Sequence, residues 1–193
     1  MKILFIRHGE SSDDVQDRYG GWADFALTDK GTSQIFHQVA NIQALGINFE
    51  RIFTSPLTRA LQSAKVLATE IRAPYEIFEY VKERNTYGVL SGMRKDDAKQ
   101  KYVEQVANLD NDEYVDGSER YKDLSKRVKK SVALINQSGY ANVIVVTHGN
   151  YLKCLFSEVL GKRLTKKEDG GWVLVDFSPV PPQILKSNGI AYE

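Results

Sequence analysis

The sequence predicts an α/β protein, a three-layer α/β/α sandwich with a mostly parallel central sheet. Two observations lead to this fold class: short runs rich in valine and isoleucine that are bounded by turn residues, and segments of helical periodicity that alternate with them. The runs Lys2–Ile6 and Asn142–Val146 are the clearest, because every residue after the first is apolar, as in strands buried on both faces. No repeat, linker or low-complexity tract interrupts the 193 residues, so we expect a single domain over 1–193.

Each element of the amino-terminal half has its own signal. The helical spacing of Ile35, Val39 and Ile42 predicts a helix, and proline is tolerated at the start of the next helix, where Pro56 lies. The segment 11–29 is polar and without sustained period, so we expect a long loop over the end of the first strand. In chain order the predicted elements are a strand at Lys2–Ile6, that loop, a helix capped by Asp29 that ends near Leu45, a strand at Arg51–Thr54, a helix from Pro56 to Ile71, and a strand at Tyr75–Tyr80.

The carboxyl-terminal half contains the least regular part of the chain. Residues 82–119 are polar and contain three tyrosines, and we expect a lid or specificity insertion here, with one helix around Lys95–Asn108. The basic run Lys126–Lys130 is typical of a solvated helix face around one core valine. The remaining predicted elements are a helix over 121–135, a strand at Asn142–Val146, a helix capped by Asn150 that ends at Leu160, and strands at Trp172–Phe177 and Gln183–Lys186.

Charge and composition exclude several classes of partner. Because 26 basic residues balance 25 acidic ones, for a net charge of +1, we expect neither nucleic acid nor an anionic membrane as a partner. The apolar runs are strand-sized, far below the roughly 20 residues of a membrane span. A single cysteine, Cys154, excludes an internal disulfide, and the first strand begins too early for a signal peptide, so we expect a cytoplasmic protein. The sequence indicates no oligomeric state.

Two of the three histidines follow predicted strands and precede a glycine. His8 comes after Arg7 at the end of one strand, and His148 comes at the end of another. Because ligands of open α/β sheets bind beyond the carboxyl ends of the strands, we expect both imidazoles at the ligand-binding edge. Arg59 lies where the second strand gives way to a helix, and we expect it to join them. Arginines offer a planar fork of donors, so this set predicts an anion pocket whose natural occupant is phosphate.

These residues allow phosphoryl transfer without a metal. A neutral imidazole is a competent nucleophile, so His8 could attack a phosphoryl group and form a phosphohistidine. Arg7, Arg59 and His148 would hold that group. The leaving oxygen needs a proton, and Glu83, after the third predicted strand, is the candidate general acid. A metal site built on the two histidines is disfavoured by the flanking arginine, and we expect no metal and no organic cofactor.

Three motifs resemble the histidine phosphatase superfamily on its phosphoglycerate-mutase-like branch: Arg7-His8-Gly9-Glu10-Ser11, Ser55-Pro56-Leu57-Thr58-Arg59-Ala60-Leu61-Gln62-Ser63-Ala64, and Thr147-His148-Gly149. The resemblance covers residues 1 to about 160. It implies an α/β/α sandwich, metal-independent phosphoryl chemistry and phosphorylation of His8. It also implies a phosphate pocket of Arg7, Arg59 and His148, with the proton donor in the segment that begins at Glu83. Asp14, Arg84 and Gly149 complete the expected substrate-binding set.

Departures from the mutase pattern bear on the reaction. The mutase pattern would place an asparagine where this chain has Asp14, and a carboxylate that faces phosphate would repel it. The chain is also short for a mutase and lacks the paired arginines that follow the proton-donor segment there. The shorter chain without those arginines favours a phosphatase that hydrolyses a small phosphorylated metabolite. The alternatives are a phosphoglycerate mutase, which uses the same pocket, and a non-catalytic phosphate sensor or scaffold, which Asp14 favours.

Overall fold

A six-stranded sheet forms the centre of the computed structural model, which describes residues 1–193. The strands are β1 (Lys2–Arg7), β2 (Arg51–Thr54), β3 (Tyr75–Ile77), β4 (Asn142–Thr147), β5 (Leu164–Asp176) and β6 (Gln183–Tyr192), in the spatial order β3-β2-β4-β1-β5-β6. Strands β1 to β4 pair in parallel, whereas β5 pairs antiparallel with both β1 and β6. The predicted α/β fold with a mostly parallel sheet is confirmed.

Helices cover both faces of this sheet. Alternate strand residues point to opposite faces, so Leu4 and Ile6 pack on one side and Ile3 and Phe5 on the other. Helices α2 (Asp29–Gln43) and α3 (Thr58–Ile71) contribute to the first of these two cores, and α6 (Tyr121–Asn136) and α7 (Gly149–Glu158) to the second. None of the helices is both long enough and apolar enough to cross a lipid bilayer. The helices are α1 (Ser12–Val15), α2 (Asp29–Gln43), α3 (Thr58–Ile71), α4 (Lys95–Lys101), α5 (Val103–Asp110), α6 (Tyr121–Asn136) and α7 (Gly149–Glu158), with 3-10 helices at Glu79–Val81 and Gly88–Leu90.

The insertion over 82–119 forms a small core together with Tyr19 of the loop that follows β1. Helix α4 and helix α5 replace the single helix predicted near Lys95–Asn108, because Tyr102 adopts φ −133° and ψ 50°, outside the helical region. A bridge between Arg18 and Arg94 joins the insertion to the loop that follows β1. The five buried residues of this core are Tyr19, Leu90, Ala98, Val106 and Val115.

The predicted boundaries of three strands were wrong. Strand β3 ends at Ile77 rather than Tyr80, because the chain turns there into a 3-10 helix. Strand β5 begins at Leu164 rather than Trp172, and β6 continues to Tyr192 rather than Lys186. Residues 164–171 have ladder partners on β6 only and form a two-stranded ribbon beyond the sheet. None of the side chains of residues 164–169 is buried and four of them are charged, so the alternation that marks a half-buried strand is missing from this stretch of sequence.

Two predicted helix caps were also wrong. Thr28, not Asp29, caps α2, and its Oγ1 accepts a hydrogen bond from the backbone N–H of Gly31 at 2.9 Å. His148, not Asn150, occupies the N-cap position of α7. Because His148 is the N-cap, Gly149 and Asn150 lie in the first turn of α7, and their backbone N–H groups point toward the end of the sheet.

Candidate active site

The ends of β1 and β4 bring the two histidines together. The two strands pair in register, with Arg7 opposite Thr147, and the backbone N–H of His8 donates to the Thr147 carbonyl at 3.1 Å. The imidazole rings of His8 and His148 lie 4.9 Å apart between centroids, and both are buried. Two adjacent parallel strands therefore deliver both rings to one point at the carboxyl edge of the sheet.

The neighbours of His8 fix its tautomer. Its Nδ1 lies 2.7 Å from the Gly9 carbonyl, and its Nε2 lies 3.3 Å from Nε of Arg59. A carbonyl can only accept and a guanidinium can only donate, so Nδ1 carries the proton and Nε2 carries the lone pair. Burial, together with the positive charges of Arg59 and Arg7, lowers the pKa of His8 well below its ordinary value. The ring is thus neutral at pH 7, with an unprotonated nitrogen available to a ligand.

Arg59 supplies a buried positive charge beside that nitrogen. It lies in the first turn of α3, where its Nη1 donates to the Ala23 carbonyl at 3.0 Å and its Nη2 donates to the Gly21 carbonyl at 2.8 Å. One N–H on each Nη remains free of these bonds. Burial lowers the pKa of Arg59, but from a starting value so high that the group stays cationic. Arg59 therefore holds the loop over the site and still offers donors to an anion.

Arg7 approaches from the end of β1. Its Nη1 donates to the Lys167 carbonyl at 3.0 Å and lies 2.9 Å from Oδ1 of Asp169, in an ion pair that is not aligned as a hydrogen bond. Burial raises the pKa of Asp169, and Arg7 counteracts this. The Nε of Arg7 is buried and has no hydrogen-bond partner. An orphaned buried donor in a pocket calls for a partner from a ligand.

His148 lies beside His8 and has a second orphaned nitrogen, but it is fully buried and does not itself line the pocket. Its Nε2 lies 2.7 Å from Oγ of Ser55, and its buried Nδ1 has no partner. Burial, followed by the charge of Arg59, lowers the pKa of His148 well below its ordinary value. If the Ser55 hydroxyl donates to Nε2, Nδ1 carries the proton and can donate to an anionic oxygen.

Glu83 enters the site from the loop after the 3-10 helix Glu79–Val81. Its carboxylate accepts hydrogen bonds from the backbone N–H groups of Arg84 at 2.8 Å, Asn150 at 3.1 Å and Tyr151 at 3.3 Å. Two of these donors belong to the first turn of α7, where the helix dipole favours a carboxylate. Glu83 is 9% exposed and lines the same pocket as the histidine nucleophile candidate.

The remaining predicted binding residues separate into two groups. Asp14 and Gly149 line the pocket, and one Asp14 carboxylate oxygen also accepts the backbone N–H of Ser11 at 3.4 Å. The side chain of Arg84 lies outside the pocket. Its Nε donates to the Glu119 carbonyl at 3.1 Å, so the structure does not bring this guanidinium to the site.

Sequence reasoning missed several residues of the pocket. Lys167, on the ribbon of β5, is half-buried with no ion pair or hydrogen bond at its ammonium, and burial lowers its pKa. Arg18 and Lys95 also line the pocket, but Arg18 donates to the Gly92 carbonyl and Lys95 pairs with Asp17. The Lys166-Lys167 pair would have indicated a cation at the site only if the strand that carries it had been predicted. The other lining residues that were missed are Ser11, Asp13, Gly20, Gly21, Tyr87 and Asn150, and Asp13 is buried beside Ser11.

The cavity is small and polar. Its volume is about 300 Å³, and Tyr87 is the one hydrophobic residue among those that line it. No group of three or more His, Cys, Asp or Glu side chains is arranged to hold a metal ion. Its positive side chains and orphaned buried nitrogens suit a small anionic ligand.

Comparison with known proteins places these features in context. The model of the histidine phosphatase superfamily (branch 1) matches residues 3–180. A 2,3-bisphosphoglycerate-dependent phosphoglycerate mutase of Beijerinckia indica subsp. indica is 33% identical over 162 residues, which cover 79% of this chain and 78% of that protein. Because the matched region covers nearly the same share of both proteins, this chain is about as long as that mutase. The length of the chain is therefore not an argument against a mutase.

Solved structures share the fold at lower identity. The α-ribazole phosphatase from Shigella flexneri superposes with a TM-score of 0.80 at 22% identity, covering 96% of this chain and 95% of that chain. A mutant phosphoserine phosphatase from Entamoeba histolytica, in complex with phosphoserine, gives a TM-score of 0.73 at 22% identity, covering 97% and 96%. The chain therefore shares the fold of these two proteins.

Proposed function

The chain belongs to the histidine phosphatase superfamily, and on that premise we propose that it hydrolyses a small phosphorylated metabolite through a phosphohistidine on His8. One observation carries the proposal: Nε2 of His8 holds a lone pair beside the guanidinium of Arg59. Next to it, Nε of Arg7 and Nδ1 of His148 are buried without partners. A phosphoryl group bound there would satisfy both nitrogens and present its phosphorus to the nucleophile.

The first half of the reaction forms a P–N bond and breaks a P–O bond. Nε2 of His8 attacks phosphorus, and the leaving oxygen departs from the opposite side with the bonding electron pair. Glu83, protonated in this step, gives that oxygen its proton and becomes a carboxylate. Arg7 and Arg59 offset the negative charge on the transferring oxygens, which is usually the largest catalytic contribution in phosphoryl transfer.

The second half returns the enzyme to its starting state. The Glu83 carboxylate removes a proton from water, and the water oxygen attacks phosphorus as the P–N bond breaks. Its electron pair returns to Nε2, and inorganic phosphate leaves. The N–H donors from the first turn of α7 hold the carboxylate at this position between the two steps. No metal and no organic cofactor takes part.

A phosphoglycerate mutase is the second candidate, because relatives about 30% identical carry that name. A mutase must hold a bisphosphorylated intermediate while it turns, and the second phosphate needs cations of its own. Of the pocket cations outside the phosphoryl site, Arg18 and Lys95 already have partners, and Lys167 alone is free. The carboxylates of Asp13 and Asp14 add negative charge to the wall. This balance favours hydrolysis over transfer between two hydroxyls.

Parallel assays distinguish the two candidates. Hydrolysis of p-nitrophenyl phosphate is measured in EDTA with the native protein, with His8→Ala and with His37→Ala, a control that removes the one exposed histidine. Isomerisation of 3-phosphoglycerate is measured with and without a 2,3-bisphosphoglycerate primer. A phosphatase shows hydrolysis that His8→Ala abolishes and His37→Ala retains. Isomerisation that depends on the primer and outpaces hydrolysis identifies a mutase, and equal hydrolysis by the native protein and His8→Ala refutes the histidine mechanism.

A further inference from the structure

Arg127 on α6 contacts the segment that carries Glu83. The basic run around it was expected to be a solvated face, and Lys126 is indeed exposed, but the Arg127 side chain is only 16% exposed. All five N–H groups of its guanidinium have acceptors. The five bonds run from Nε and Nη2 to the Glu119 carboxylate at 2.9 and 2.8 Å, from Nη1 to the carbonyls of Tyr80 at 3.1 Å and Lys82 at 2.7 Å, and from Nη2 to the carbonyl of Glu83 at 3.1 Å.

Three of these acceptors belong to one short stretch of backbone. The carbonyls of Tyr80, Lys82 and Glu83 cover the turn by which the chain leaves the 3-10 helix and enters the pocket. The Glu83 carbonyl also accepts a hydrogen bond from the indole N–H of Trp22 at 2.7 Å. The backbone of Glu83 is thus held on the carbonyl side, while its carboxylate is held by the first turn of α7.

We propose that Arg127 is a positioning residue that sets the place of Glu83 for proton transfer. The inference rests on the proposed function, in which Glu83 is the general acid and base. Arg127 is not among the residues that line the pocket, so it acts through the backbone of Glu83 and not on the substrate. Glu119 orients Arg127, because its carboxylate accepts two hydrogen bonds from the guanidinium and so directs the other three toward the backbone carbonyls.

The chemistry of the contact requires arginine. A guanidinium presents its five donors in a rigid plane, whereas the lysine ammonium offers three from a single point. Loss of Arg127 would leave three carbonyls without this donor and the Glu119 carboxylate, 11% exposed, without its cation. The turn would then relax and move Glu83 relative to the leaving oxygen. A displacement of about 1 Å can cost a reacting group about 100-fold in rate.

The dependence of the rate on the leaving group tests this role. A nitrophenolate departs with little protonation, whereas an alkoxide needs a general acid, so kcat/KM is compared for p-nitrophenyl phosphate and for glycerol 2-phosphate. This parameter covers the steps through departure of the leaving group. We expect Arg127→Met to lower kcat/KM for the alkyl ester by about 100-fold and for the aryl ester far less. Glu83→Gln should show the same selectivity, Arg127→Lys should restore part of the loss, and Lys126→Met should match the native protein.

Each outcome decides one question. Equal losses on both esters in Arg127→Met would reduce Arg127 to a structural role and overturn the inference. Selectivity absent from Glu83→Gln would instead refute the general-acid role on which the inference rests. Should Arg127→Met not fold, Glu119→Gln and Arg127→Lys carry the same comparison. A crystal structure of Arg127→Lys gives a readout independent of turnover: we expect the distance from the Glu83 carboxylate to the Asn150 nitrogen to lengthen from 3.1 Å, and an unchanged distance would contradict the proposal.

Discussion

The substitution Gly31→Ala tests whether the loop that carries His8 is held by direct contact between two glycines. Gly31 lies in the first turn of α2, and a Cβ added there would lie 2.0 Å from the Glu10 carbonyl oxygen and 2.8 Å from the Glu10 nitrogen. On the opposite side, a Cβ on Gly9 would lie 2.1 Å from the Gly31 oxygen. These neighbours are backbone atoms, so no flexible side chain can move aside.

The magnitude follows from the distances. Real Cβ contacts stop near 3.0 Å, so α2 and the loop must separate by about 1 Å to admit the new methyl group. Forcing extra volume into a packed site costs about 1–3 kcal/mol, whereas the helix propensity of alanine over glycine returns about 1 kcal/mol. We expect a net destabilisation of up to about 2 kcal/mol. Because Gly9 adjoins His8, the same separation displaces the nucleophile and should lower kcat/KM by about 100-fold.

Urea unfolding and p-nitrophenyl phosphate hydrolysis measure the two effects of Gly31→Ala side by side. Ser33→Ala is the matched control, because Ser33 is exposed on the same helix and this substitution also introduces alanine. A Gly31→Ala protein at least as stable as the native one, with full activity, would refute the reasoning, because helix propensity would then outweigh the backbone contact.

Three further predictions concern charge and protonation. Lys167→Met should raise KM for phosphate esters by about tenfold, because about 1.4 kcal/mol of anion binding is lost. Lys166→Met is the control and should leave KM unchanged. Equal KM values in the two variants would contradict a role of Lys167 in binding. Burial lowers the pKa of His8 and of His148, so below about pH 6.5 the unfolded chain binds more protons than the folded one and stability falls. Between pH 7.5 and 5.5 the free energy of unfolding, measured by urea titration, should drop by about 1.4 kcal/mol for each ring. The His8→Asn variant should lose the part of this drop that His8 contributes, about 1.4 kcal/mol. A variant with the native pH dependence would refute the lowered pKa of His8. Glu83→Gln should accumulate phosphoenzyme from p-nitrophenyl phosphate, seen as a burst of nitrophenolate, because no base then activates water; steady release from the first turnover would contradict that role.

The parts of the fold that the sequence predicts well are those with local signals. In β1 and β4 the central runs Ile3–Ile6 and Val143–Val146 are apolar throughout, because both faces of these strands are buried under helices. Their ends carry Arg7 with His8 and Thr147 with His148, and parallel pairing in register places these residues side by side. The edge of the sheet at which the site lies thus follows from strand type and strand order alone.

The parts that were missed depend on contacts between distant segments. Periodicity alone does not tell which residue of the basic run turns inward, since the carbonyl acceptors of Arg127 lie 44 to 47 positions earlier in the chain. Lys167 reaches the pocket on residues 164–171 of β5, which pair with β6 only. Arg84 follows Glu83 directly, yet its side chain turns to the opposite side of the loop, toward Tyr121. Direction of this kind is set by tertiary packing, which a single sequence does not display.

Direct detection of the covalent intermediate tests the central claim. The native protein and the His8→Ala variant are mixed with a phosphate ester, quenched in alkali to preserve a phosphohistidine, digested and examined by mass spectrometry. We expect one added phosphoryl group on the peptide that contains His8, lost on treatment with acid and absent from the variant. Turnover without a phosphoryl group on His8, or a phosphoryl group on another residue in both proteins, would contradict it.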